Sequence, residues 1–552
     1  MKAVLALFQR VIEIIEELIV SQHQPIVSPL HLIVVTALSL VLAGCASYSD
    51  LHAQLQPKSV EDLASAQALE SPAQSGVSAN ESPWPAQTWW RQFGDPQLDR
   101  LIEEALAGSP ELDEASARLR AATASAGVAD AARGPSYSAS FTSEYQRFTE
   151  NGVIPPPYGG TRESSNDVTA NVAYRLDFWG RDRAALQAAL SRQHVAQAEG
   201  AEAALVLASA VANHYVQLAH WYALLDVAED TLAQRESIYQ LTKQRVQAGI
   251  DTKVQLKQAE SELPAIRGDI AALRESMNAS RYNLAALLGA GPDRGLAIGR
   301  PQLINWSEQQ NTLVLPPAVP LGLLGRRPDI VAARWRVEAV GSDVDVAKAE
   351  FYPNVNLTAF AGFSSIGLDK LLESGSRVYG IGPAITLPLF ARATLRGNLS
   401  GHLAAYDAAV AAYNRALVDA LTQVAISLDA EHWLVERRQQ QRAALTTTQA
   451  ALALASERYR AGLGNYLTVL QAQTAVLQRQ REGVALNARA FGLRIDLITA
   501  LGGGFEQTPD DGGPALSSLS HPQHQLPQHQ AAEPNSDTTG VRNEHATNNT
   551  AN

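Results

Sequence analysis

Two periodicities alternate along the chain. In SYSASFTSEYQ the apolar positions fall on every second residue, with Tyr137, Ala139, Phe141 and Tyr145 opposite Ser138, Ser140, Thr142 and Glu144. DVTANVAYRLD does the same, setting Val168, Ala170, Val172, Tyr174 and Leu176 against Thr169, Asn171 and Arg175. A period of two is the mark of a strand with two unlike faces. NVNLTAFAGF and VYGIGPAITLP repeat it, the latter with Tyr379, Ile381, Ile385 and Leu387 on one side. The pattern therefore predicts four strands, at about 136–147, 167–177, 354–363 and 377–388. Between them run Ala-rich stretches such as AEAALVLASAVA and LAAYDAAVAAY, made of strong helix formers. They predict very long helices over about 183–248 and 396–461, each on the order of 100 Å at ~1.5 Å per residue. Gly249 and Gly462 follow these helices in the C-cap position, where a left-handed residue reverses the chain. Returning helices are predicted over 252–288 and 466–501. An earlier helix is expected from about Pro96 to Ala132, stopped by Gly134-Pro135. Pro264 falls inside a predicted helix, at a cost of about 3 kcal/mol, and predicts a kink or break near Glu262.

The chain repeats itself. Placing Gln244–Gly289 under Glu457–Gly502 aligns Arg245 with Arg458, Ala248 with Ala461, Gly249 with Gly462 and Gln258-Ala259 with Gln471-Ala472, at one constant offset. Leu284, Leu288 and Gly289 then meet Leu497, Leu501 and Gly502. Upstream the match is weaker: Val128–Ala131 lies over Val346–Ala349 and Pro135 over Pro353. This is a tandem duplication of a helix, strand, strand, long helix, tight turn, helix unit. The copies span 83–290 and 321–505, joined by a linker over 291–320.

Each strand, about ten residues long with one apolar and one small or polar face, fits a membrane β-barrel with lipid outside and water within. An ordinary antiparallel sheet packed on a core alternates likewise, but the helical segments carry no broad apolar face to cover four strands. Four strands cannot close a barrel, so the edges must pair with other copies of the chain. A homotrimer gives about twelve strands, an even number within the range of known barrels. The loops FTENGVIPPPYGGTRESSN and SSIGLDKLLESGS are polar or Gly/Pro-rich and are placed to face the exterior.

Composition narrows function mostly by exclusion. A net charge of -12 argues against a nucleic-acid partner, since phosphate binding needs a basic face. After residue 44 no apolar run reaches membrane-helix length, so a span must be made of strands. The 12 His are scattered, and no HExxH, GxSxG, Walker or Rossmann pattern stands in a suitable context. The reading is of no enzyme, no cofactor and no metal site; His521, His524 and His529 fit a disordered Gln/His tail better than a metal site.

The single cysteine, Cys45, is informative. LHLIVVTALSLVLA, residues 30–43, has the length of a signal-peptide h-region and is too short for a ~20-residue span. Leu42-Ala43-Gly44-Cys45 resembles the lipobox of bacterial lipoproteins, which implies cleavage of residues 1–44 and acylation of Cys45. The segment before it is long and mixed, with Glu13, Glu16 and Glu17 beside Lys2 and Arg10, and places the true start further downstream. By the same resemblance, Ala46 in place of Asp sorts the protein to the outer membrane. The linker 45–82 and the tail 506–552 are expected to be poorly ordered.

Six stretches in order, WWRQFGDPQLDRLIEEAL (89–106), LDFWGR (176–181), LLGRRPDIVAAR (323–334), FYPNVNLTA (351–359), ERYRAGLGNYLTVLQAQ (457–473) and ITALGGGF (498–505), resemble the signatures of TolC-type outer-membrane efflux proteins. The likeness covers about residues 82–505 and is greatest to the lipidated NodT/OprM branch. It implies a trimer with a twelve-stranded β-barrel in the outer membrane, continuing into a twelve-helix periplasmic α-barrel. It also implies passive conduction of substrates delivered by a periplasmic adaptor and an inner-membrane pump, usually of the resistance-nodulation-division type. The helix-turn tips, Arg245–Lys253 and Arg458–Leu467, correspond to the end where adaptors dock, making Arg245, Gly249, Arg458 and Gly462 candidate contacts. For the two arginines, a positive charge at a helix C-terminus is the plainer alternative. By matched position Leu467 forms an apolar ring at the gate, and Gln471 stands where OprM-like members carry Asp. A rival reading, a lipid-anchored periplasmic coiled coil without transport activity, accounts for Cys45 and the helices but not for four strands placed symmetrically in two repeats.

Overall fold

The structure is a computed structural model that describes residues 48–59, 62–63, 84–303, 325–388 and 390–506. The expected signal peptide, Cys45, most of the first linker, the inter-repeat linker beyond residue 303 and the tail from residue 507 lie outside the described residues. In chain order the elements are α1 (Pro96–Gly108), α2 (Pro110–Ala131), β1 (Ser136–Arg147), β2 (Arg162–Arg175), α3 (Arg181–Gln247), α4 (Lys253–Leu287), a short α5 (Pro292–Leu296), α6 (Pro328–Ala349), β3 (Asn354–Ile366), β4 (Arg377–Thr386), α7 (Arg392–Arg460) and α8 (Tyr466–Ala500). The order helix, two strands, long helix, returning helix thus occurs twice. Among the described residues β2 and β3 run longer than the alternation predicted, and β4 ends two residues earlier, at Thr386 before Leu387-Pro388, where proline has no N–H for the ladder.

Two helix expectations need correction. The first predicted helix is two helices: Ser109 sits in an extended conformation before Pro110, which cannot continue an α-helix behind it, and its hydroxyl accepts from the Glu111 N–H to cap the second. At Pro264, by contrast, α4 does not break. Leu263 and Ile266 are buried on either side of it. Arg235 of α3 pairs with the Glu262 carboxylate at 2.7 Å and donates to the Glu262 carbonyl at 3.4 Å, tying down the turn before the proline. A third correction concerns apolarity: α3 does contain a window of mean hydropathy 1.3, long enough by length and composition to cross a membrane. That helix instead packs along α2, α4, α6 and α8.

The strands form one antiparallel sheet in the order β1-β2-β3-β4. Register puts like with like. Tyr137 pairs Val172, which pairs Ala359, which pairs Ile381; Phe141 pairs Val168, which pairs Phe363. One face is therefore apolar from edge to edge, and it is bare: Tyr137 is 74%, Phe141 62%, Tyr379 82% and Ile381 77% exposed. No helix lies across the sheet among the described residues. On the opposite face Ser140 and Thr169 hydroxyls sit 2.9 Å apart, and Phe360 lies over Gly380, where a side chain would collide with its ring.

The core lies in the helices. Trp89, Trp90, Phe93, Leu98 and Ile102 pack against the middle of α3 at Leu207, Val211 and Tyr215 and against Leu284 and Ile498. Asp95 caps α1 and also accepts from the Tyr215 hydroxyl and the Gln302 N–H, both at 2.6 Å, which accounts for the FGD stretch. A second cluster joins α6, α7 and α8 through Ile330, Val410, Leu417 and Leu497. Both returning helices end on a left-handed glycine, Gly289 and Gly502. A side chain on Gly289 would overlap the Gly108 carbonyl, and one on Gly502 the Arg326 carbonyl. The same glycine in both copies lets the hairpin base close onto the helix that begins each copy. Gly502→Ala is therefore expected to destabilise the fold by about 1–3 kcal/mol, read as a lower unfolding temperature by circular dichroism.

Candidate functional site

The ends of the two helical hairpins carry most of the residues singled out in the sequence. At the first tip Gly249 adopts φ +72, and the Ile250 N–H returns to the Arg245 carbonyl at 2.9 Å. At the second, Gly462 adopts φ +79 and the Leu463 N–H returns to the Arg458 carbonyl at 2.8 Å. These are left-handed C-caps that satisfy the last helix carbonyls. The next helices start at once: Thr252 and Gln255 make a capping box, and Asn465 accepts from the Thr468 N–H at 3.0 Å.

The two tips are bolted together by a buried polar cluster. The Arg245 guanidinium donates to Asp251 at 2.8 Å and to the Tyr459 carbonyl at 2.8 Å, and it lies 4.5 Å over the Tyr459 ring. The Tyr459 hydroxyl donates to Asp251 at 2.7 Å and sits 2.8 Å from the Thr242 hydroxyl. The side chains of Arg245 and Asp251 are only 8% and 4% exposed, and Tyr459 packs with Ile238, Ala259, Tyr466 and Val469. Burial raises the Asp251 carboxyl, but the hydrogen bonds from Arg245 and Tyr459 outweigh it and hold it below the usual carboxylate range. Burial first, then the bond to Asp251, pushes the Tyr459 phenol up to about 12.

Arg245 is thus turned inward, with its donors engaged by Asp251 and the Tyr459 carbonyl. Its repeat mate Arg458 is exposed. Leu467 and Gln471 follow one turn apart on the exposed face of α8, with Leu467 at 50% exposure, while Tyr466, Val469 and Gln473 face the core. What the sequence reading passed over is that Leu467 belongs to an apolar pair found at each tip. Ile250 and Val254 are 60% and 66% exposed, and their repeat mates Leu463 and Leu467 are 72% and 50% exposed. The constant offset that aligned Arg245 with Arg458 would have shown them. Tyr459, Thr242 and Asp251 had no such signal, because their mates are Val246, Ala455 and Gly464.

At the other end of the hairpins, residues 48–59 are strapped to α7, contrary to the expectation of poor order for the whole linker. Asp50 pairs with Arg396, whose hydrogen bond holds the carboxyl at about 2. Asp407 accepts from the Gln54 and Leu55 N–H groups at 2.9 Å, and Asn414 from the Lys58 N–H at 2.7 Å. Tyr48 packs on Phe351, 4.9 Å between ring centroids, beside the junction where Trp179 stacks on Tyr352 at 4.6 Å and donates to the Pro353 carbonyl at 2.8 Å.

A sheet with a bare apolar face, carried on long helical hairpins that end in bolted tips, defines a membrane-embedded, channel-type architecture. The outer membrane efflux protein family model matches residues 101–290 and 320–503, and the chain belongs to that family. The fusaric acid resistance protein FusA of Burkholderia cepacia is 38% identical over 66% of this chain and 68% of its own length. The multidrug resistance outer membrane protein MdtP of Escherichia coli K12 is 31% identical over 85% of this chain and 95% of its own. The crystal structure of the outer membrane protein VceC of Vibrio cholerae superposes with a TM-score of 0.71 at 38% identity, covering 77% of this chain and all of that one. The protein is an outer-membrane channel of the efflux type.

The clamp makes a prediction about acid. A carboxyl held below its unfolded value contributes stability that is present above the unfolded pKa and is lost only as pH falls through the folded one. Amide-exchange protection at residues 245–253 and 457–466, corrected for intrinsic rates, should therefore be unchanged between pH 8 and 5. Asp251→Asn leaves Arg245 buried without its counter-charge and should cost about 3–5 kcal/mol of local stability in the same measurement.

Proposed function

We propose that this chain is the exit duct of a tripartite efflux system, working as a homotrimer that conducts passively what an inner-membrane pump, of the resistance-nodulation-division type, and a periplasmic adaptor deliver. The observation that carries the reading is the sheet: an apolar face fully bare of protein, with β1 and β4 as free edges among the described residues. A membrane tolerates no open edge, and three such sheets close a barrel of about twelve strands. The helical hairpins below it form the α-barrel, and the two element series are read as a tandem duplication. Purified protein should run as a heat-modifiable trimer and give ion conductance in planar bilayers. A soluble monomer after delipidation would favour the coiled-coil alternative instead.

The tips are the periplasmic end. Ile250 and Leu463 offer exposed apolar side chains for the adaptor, next to the reversing glycines Gly249 and Gly462 and the exposed Arg458. Leu467 and Gln471 form the gate rings, one apolar and one neutral amide. Three carboxylates at the second ring would prefer cations and respond to pH, whereas three amides do neither. Gln471→Asp should therefore introduce block by divalent cations in single-channel recordings, and equal block in both proteins would remove Gln471 from the gate. Cys45 is the lipid attachment site.

A further inference from the structure

The two strand-to-helix junctions of the chain are unequal. The first, Leu176–Arg181, is tied down: Arg175 pairs with Asp182 at 2.8 Å, Asp177 accepts from the Arg183 N–H at 3.0 Å, and Trp179 is half-buried on Tyr352 and Pro353 at the start of β3. The second, LPLFAR at 387–392, aligns with LDFWGR but has Thr386, Pro388 and Ala393 where the first has Arg175, Asp177 and Asp182. Phe390 stands where Trp179 stands, and it is 99% exposed.

Trp179 closes the step from β2 to β3, onto the residues that open the next unit. Among the described residues no strand follows β4; in a ring of copies the next strand is the β1 of a second copy. Its residues matching Tyr352-Pro353 are Gly134-Pro135, and both are exposed. We infer that Phe390 seats on Gly134-Pro135 of a second copy of this chain, as the intersubunit counterpart of Trp179 on Tyr352-Pro353. Gly134, lacking the Tyr352 ring, leaves room for an aromatic to lie on the proline face, and phenylalanine lacks the N–H that Trp179 donates, so the seam needs no matching carbonyl.

The helices continue the same seam. α6 packs between α3 and α7 and buries twelve residues, whereas its counterpart α2 packs mainly along α3 and buries only Ala126. Its Val128 is 71% exposed, and α7 leaves Val418 and Ile426 42% and 63% exposed. The faces left bare on α2 and α7 lie on the elements that flank β1 and β4 in sequence, which is the expectation for one continuous contact between copies.

The inference rests on the trimeric reading above, and the experiment separates the two. A photo-crosslinking benzoylphenylalanine at position 390, in a mixture of isotopically light and heavy chains in outer membranes, should give light–heavy adducts mapping to residues 133–137. Phe390→Ser should cut the fraction of trimer surviving warm detergent by roughly tenfold or more, and Phe390→Trp should restore it. Trimers that form normally but crosslink elsewhere, or only within one chain, overturn the seat of Phe390 and leave the channel standing. Absence of any trimer from the unmodified protein overturns both.

Discussion

The constraint on which the molecule turns is that a sheet in hydrocarbon has no solvent to satisfy its edges. Four strands with an apolar outer face do not meet that condition alone, which is why the proposed function closes the sheet with further copies of the chain. The helical part is different. Asp95 with Tyr215 and Gln302, the aromatic group at Trp89, Trp90 and Phe93, and the α6–α8 cluster give the stem its own buried core. The division of labour is physical: the helices are stabilised within the chain, and the strands, in the proposed assembly, depend on lipid outside and neighbours at each edge.

Long helices with little amphipathic character need lateral fasteners, and here these are mostly arginine pairs between neighbouring helices. Arg336 meets Glu199 and Arg192 meets Asp343 across α6 and α3, while Arg267 meets Glu236 and Arg274 meets Glu229 across α4 and α3. Exposed pairs of this kind contribute little each, about 0–1 kcal/mol, and set register more than stability. The tip cluster is of another kind, because its charges are buried. Breaking it exposes a lone guanidinium to a low-dielectric environment, so the paired state is held far more firmly than any fastener above it.

Much of this was legible in the sequence because it is periodic. Two-residue alternation located all four strands, β1 to the residue, since the apolar face had to be uniform to meet lipid. The long helices were legible from Ala-rich stretches without proline between Arg181 and Gln247 and between Arg392 and Arg460, and their ends from Gly249 and Gly462. Ser109-Pro110 was passed over because proline at a first helical turn and proline inside a helix look alike in a string; only the extended backbone of Ser109 separates them. The continuity through Pro264 depended on Arg235, 29 residues away, and the clamp on a tyrosine in the other copy. Side-chain contacts between distant segments leave no periodic trace.

The repeat is more informative where it fails than where it holds. Conserved spacing at Gly249 and Gly462, or at Gly289 and Gly502, marks positions where backbone geometry leaves one residue type. Divergent pairs mark positions where the two copies face different neighbours. Arg245 finds Asp251 and Tyr459 within the chain, whereas Arg458, with Gly464 and Val246 in the corresponding places, has no equivalent cluster to enter. Trp179 has a hydrogen-bonded seat within the chain, whereas Phe390 has none. A duplicated unit in a ring has two kinds of seam, one covalently continuous and one not. The polar, geometrically exacting contacts sit at the continuous seam, where the chain itself fixes the distance. In the proposed assembly the bare apolar Phe390 takes the other, where burial is non-directional and tolerates small misalignments.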